Sequence, residues 1–72
     1  MTKQRLLDLL KSLVYGINSY SIFDRGDGFI RIYDSADIFT ATFITNAIKI
    51  TGDAFTGVTV DSDGRPYMIF TY

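Results

Sequence analysis

The sequence has 72 residues and contains neither cysteine nor histidine. No other property limits its fold so strongly. Disulfides are impossible, and so are the Cys and His ligand sets of structural zinc. A chain this short is expected to form one α+β domain, 1–72. By surface scaling it buries only about 60% of the area its unfolded form exposes. Domains of this size are marginal. They rely on tight packing, on association with another chain, or on both.

The same absence limits chemistry. A Cys nucleophile, a Ser-His-Asp triad and a His general base are excluded. A site built on carboxylates or lysine needs a pocket, and a small sheet under two helices leaves little room for one. The expectation is a non-enzymatic protein with no cofactor, no metal and no small-molecule substrate. Seven Lys plus Arg against eight Asp plus Glu leave a net charge of -1. The segment Met1-Thr2-Lys3-Gln4-Arg5 is basic, but Asp8 and Lys11 interrupt the apolar stretch behind it, so it does not read as a signal peptide. The uncharged run Ile38 to Ile48 carries threonines and Asn46 and is too short to span a bilayer. These features lead to the expectation of a soluble, cytoplasmic protein.

Lys3 to Tyr15 reads as an amphipathic helix. Leu6, Leu10, Leu13 and Val14 form one apolar stripe, with Leu7 and Ile17 beside it. Thr2 can cap its start, and Gly16 sits where a left-handed C-terminal residue is wanted. Ser19 to Asp24 and Phe29 to Tyr33 read as strands. Between them, Asp24-Arg25-Gly26-Asp27-Gly28 predicts a hairpin loop with positive φ angles. Asp34-Ser35-Ala36-Asp37 reads as a helix start. The segment Ala36 to Ile50 is rich in Ile and Thr, which favour strands. Its Ala36, Phe39, Phe43, Ala47 and Ile50 nevertheless share one helical face, joined by Ile44 and Ile48, and Gly52 ends it. Length and caps favour helix. Phe55 to Val60 and Pro66 to Tyr72 read as two more strands around the turn Asp61-Ser62-Asp63-Gly64.

The order is α-β-β-α-β-β, which predicts a four-stranded antiparallel sheet with two helices on one face. It also reads as two helix-plus-hairpin repeats, 3–33 and 35–72. The arrangement resembles a circular permutation of the ferredoxin-like fold, its first strand moved to the end. That resemblance implies that the second and fourth strands are central and the first and third are edges.

Strand alternation assigns faces. Ile30 and Ile32 point to the helices because Arg31 points away. Tyr20, Ile22, Val58, Val60, Met68, Phe70 and Tyr72 are expected to join them. The helix-free face then carries Phe23, Phe29, Arg31, Tyr33, Phe55, Tyr67 and Ile69. Monomers rarely leave such a patch in water. Aromatics with an arginine are also the composition of interface hot spots. Phe29, Arg31, Tyr33, Phe55, Tyr67 and Ile69 are therefore the candidate interaction surface, for a second copy of the chain or another protein.

An alternative use of that face is stacking of single-stranded nucleic-acid bases, which also needs positive charge along the backbone. A cluster of Arg31, Lys49 and Arg65 is the best source of that charge in a chain of pI about 4.9. Asp61-Ser62-Asp63-Gly64 resembles a fragment of a calcium loop but lacks its third ligand and its Glu, so a hairpin turn is the simpler reading. If the two hairpin tips met, Asp24, Asp27, Asp61 and Asp63 would gather four carboxylates. Gly26-Asp27-Gly28 leads into a strand rather than a helix, so it does not read as a phosphate loop. Lys3, Arg5 and Lys11 read as the solvated face of the first helix.

Overall fold

The computed structural model describes residues 1–13, 22–34 and 39–72. Helix α1 spans Lys3–Leu13. Thr2 caps it as expected: its Oγ accepts from the Arg5 N–H at 3.1 Å. Leu6 and Leu10, one turn apart, are fully buried, with Leu7 and Leu13 packed alongside. The expected continuation to Tyr15, the Gly16 cap, and the strand residues Ser19 to Ser21 lie outside the described residues.

Strands β1, Ile22–Asp24, and β2, Phe29–Tyr33, form the first hairpin. Gly26 and Gly28 turn it, with φ of 74° and 89°, values that a side chain rarely tolerates. Asp24 accepts from the Gly26 N–H at 2.9 Å, and Asp27 from the Phe29 N–H at 3.2 Å. The loop is thus wired through its own carboxylates.

Helix α2 spans Ala41–Thr51, so the Ile- and Thr-rich segment is a helix, but it starts later than expected. Thr40 is the cap, in extended conformation, with its Oγ accepting from the Phe43 N–H at 3.1 Å. Asp34, expected to cap the helix, instead accepts from the Phe39 N–H at 3.1 Å and ties down the connection before it. The rest of the expected start, Ser35 to Ile38, lies outside the described residues. Phe43 and Ala47 face the core, whereas Ile50 is 39% exposed and Thr51 is buried in its place. Burial of Thr51 is tolerated because its hydroxyl donates to the Ala47 carbonyl at 2.6 Å. Gly52 closes α2, its N–H donating to the Ile48 carbonyl, and a single 3₁₀ turn, Gly52–Ala54, leads on.

Strands β3, Phe55–Val60, and β4, Pro66–Thr71, form the second hairpin. All neighbours pair antiparallel, in the order β1-β2-β4-β3, so β2 and β4 are central. The architecture is α+β, with both helices on one face of the four-stranded sheet. Ile30, Ile32, Met68 and Phe70 are fully buried beneath Leu6, Leu10, Phe43 and Ala47. Among the described residues no helix is long and apolar enough to cross a membrane.

Candidate interaction surface

The strand register sorts the sheet residues into rows across the strands. One row on the helix side runs Ile22, Ile32, Met68, Val58, and the next runs Asp24, Ile30, Phe70, Phe55. On the helix-free side the rows are Phe23, Arg31, Ile69, Gly57, then Tyr33, Tyr67, Thr59, then Phe29, Thr71. Partners in a row share a face. Of the candidate surface, Phe29, Arg31, Tyr33, Tyr67 and Ile69 therefore lie together on the side away from the helices.

Phe55 does not. It sits opposite the fully buried Phe70 and packs edge-on against it, ring centroids 5.7 Å apart. The cause is a break in register between Phe55 and Gly57, which adds one residue to β3 and reverses the alternation before it. A glycine inside a strand pattern is a sign of such a break. Gly57 carried that signal, and simple alternation ignores it. Val58 and Val60 do lie on the helix side, but they are 48% and 59% exposed rather than core. The helical cover ends short of this edge of the sheet.

The helix-free side is covered by its own aromatics. Phe23 meets Tyr33 edge-to-face at 5.2 Å, and Tyr33 stacks on Tyr67 at 4.9 Å. The Arg65 guanidinium lies 6.0 Å from the Tyr33 ring centre and that of Arg31 lies 5.9 Å from Phe29, the outer limit of cation–π attraction. Arg31 occupies the centre of the face with only 13% of its side chain exposed. Its charge is met by Asp27 through two contacts, at 2.9 and 3.4 Å. The same hydrogen bond holds the Asp27 carboxyl below the ordinary carboxylate range. This Asp–Arg pair escaped the strand-by-strand reading because the partners lie on opposite sides of the loop-to-strand boundary. Their spacing of four residues is its only trace in the sequence.

The other sequence candidates separate in space. Lys49 is exposed on α2, in the layer on the far side of the sheet from Arg31, so the three-cation cluster does not form. The hairpin tips also lie apart. The β2–β4 register sets Phe29 beside Thr71 and Tyr33 beside Tyr67, which puts the two turns at opposite ends of the sheet. Among the described residues no three acidic side chains gather to hold a metal. Asp61 is occupied by its own turn, its carboxylate accepting the N–H groups of Asp63 and Arg65, both at 2.9 Å. Lys3 is not merely solvated: its ammonium reaches Asp24 at 2.6 Å and joins α1 to the end of β1.

Two depressions of about 320 Å³ lie elsewhere, one on the outer side of α2 and one beside Met1, Asp53 and Thr71. Each is lined by a single charged side chain, Lys49 in the first and Asp53 in the second. No protein-family model matches the chain, and no curated protein or solved structure matches it.

Proposed function

We propose that this chain is a small, non-enzymatic interaction module that docks another protein surface, or a second copy of itself, on its helix-free sheet face. One observation carries the reading. Phe23, Tyr33 and Tyr67 form a continuous aromatic run beside a central, largely covered arginine oriented by Asp27. Side chains held in place before binding lose little entropy on association. Tyr, Phe and Arg in such a setting are the usual anchors of an interface.

The nucleic-acid alternative finds less support. Arg31 is neutralised by Asp27, and Lys49 lies on the other side of the sheet, so the phosphate backbone meets little positive charge. The test is light scattering together with affinity capture from cells, on the wild type and on Tyr67→Asp. Capture of a protein, or a dimer, that is lost in the variant supports the reading. A monomer that captures nothing, or that instead binds single-stranded oligonucleotides at low salt with quenched tyrosine fluorescence, overturns it.

A further inference from the structure

The outer side of β3 has a chemistry separate from that of the helix-free face. Among the described residues no strand pairs with it. The backbone groups left open there can be named. The Asp61 N–H donates to the Arg65 carbonyl at 3.0 Å, so these two residues form a bonded pair. Antiparallel ladders alternate bonded and non-bonded pairs. Counting back along the register, Thr59 with Tyr67 and Gly57 with Ile69 are bonded pairs, while Val60 with Pro66 and Val58 with Met68 are not. Pro66 fits this pattern, since it has no N–H to give and its carbonyl accepts from Asp34 on the β2 side. The N–H and C=O groups of Val58 and Val60 therefore point outward.

Apolar exposure falls on the same two residues, at 48% and 59%. β2 and β3 are both antiparallel to β4, hence parallel to each other, with α2 as their crossover. Helix α2, which bears Ile44 and Ile48, contacts β3. Ile48 is 43% exposed. The opposite edge of the sheet is guarded. Among the described residues β1 ends at Asp24, which is paired to Lys3. β3 has six residues with no charge and no proline, two of the devices that normally keep an edge from pairing, and its bulge between Phe55 and Gly57 leaves Val58 to Val60 in regular register.

We propose that β3 pairs antiparallel with β3 of a second copy of the chain, about a twofold axis through Thr59, joining two four-stranded sheets into one of eight. Val58 of each copy then faces Val60 of the other, and about four backbone hydrogen bonds form across the axis. The occupant is a second copy because two identical antiparallel strands are self-complementary and the contact closes on itself. The edge carries no charge to repel its own twin, and none by which a charged partner would be selected. The guarded β1 edge stops the assembly at two. Because the contact area is small, the dimer is expected to dissociate on the order of 1–100 µM. The helix-free faces stay open side by side, so this pairing is independent of the docking role of that face.

The test is light scattering over a concentration series spanning that range, with amide exchange read by NMR. The expected results are a dimer at the upper end and slower exchange at Val58 and Val60 as it forms. Val58→Pro removes only an outward N–H, and Val60→Lys places charge on a side chain already in water. Each is expected to raise the dissociation constant at least about tenfold with an unchanged melting temperature at concentrations where the wild type is monomeric. Tyr67→Asp is expected to leave the dimer intact. Should Val58→Pro fail to fold, Val60→Lys alone decides. A monomer at every concentration overturns the proposal. So does a dimer that survives both edge variants, or one that only Tyr67→Asp dissolves.

Discussion

The two faces of this sheet hide apolar surface in different ways. On the helix side, Ile30, Ile32, Met68 and Phe70 have no exposure at all, because Leu6, Leu10, Phe43 and Ala47 close over them. On the other side no element lies over the strands among the described residues. There Tyr33 and Tyr67 cover each other by stacking, and Arg31 lies across the middle, held by Asp27. Phe23 and Phe29 stay 44% and 37% exposed. The first face is completed by the fold. The second is only half completed, and its remaining surface is ordered rather than loose. A face of that kind adds less to stability than the closed one, because stability follows area removed from water; under the proposed docking role its value lies in anchors fixed in advance.

The contrast is sharpest when equivalent aromatics are removed from each face. Phe70→Ala leaves a cavity in the closed face and is expected to lower the unfolding free energy by about 3–5 kcal/mol in urea titration. In a domain this small that loss approaches complete unfolding. Tyr67→Ala on the open face is expected to cost about 1–2 kcal/mol, since part of its ring is already in water. Equal losses would erase the distinction between the faces. Thr40→Ala acts on the cover rather than the sheet. It removes the side-chain cap of α2 and is expected to cost about 1 kcal/mol by the same titration.

The smallest expected effect concerns pH. Asp27 is held below its ordinary value of 3.8 by Arg31, and Asp24 by Lys3. A lowered carboxylate pKa stabilises the folded state above the unfolded value, and that contribution is lost as pH falls through the folded value. Thermal melts should therefore show a decline beginning below about pH 4. The double variant Asp24→Asn, Asp27→Asn should melt lower at neutral pH and converge with the wild type in acid. Curves that stay parallel would show that neither pair contributes. Lys3, raised above 10.5 by the same contact with Asp24, extends that pair's contribution to alkaline pH, where it is lost only as pH rises through the folded value.

Much of the fold is legible in local pattern. The leucine stripe of α1, the Asp- and Gly-rich hairpin loops, the Phe-Ile-Arg-Ile-Tyr alternation of β2 and the Gly52 stop all act within a few residues. Propensity and spacing report such features directly. Most of the candidate surface was legible for the same reason: on β2 and β4, Arg31 and Thr71 mark the outward positions, and their neighbours follow. Two readings failed where local pattern has competing solutions. Asp34 and Thr40 are both good caps, and the helix starts at the second. Alternation through Phe55 breaks at Gly57, where one added residue moves the ring from the open face into the core.

Sequence alone determined the order of elements, the absence of cysteine and histidine chemistry, and the surplus of aromatic strand residues for one small core. These depend on composition and on short-range spacing. Tertiary structure decided which cations share a face, that the two acidic turns stand at opposite ends of the sheet, and that Val58 and Val60 are exposed on the outermost described strand. Each of these depends on strand register between segments distant in the chain. Register is set by which face becomes buried when the helices close over the sheet, and no window of neighbouring residues contains that information.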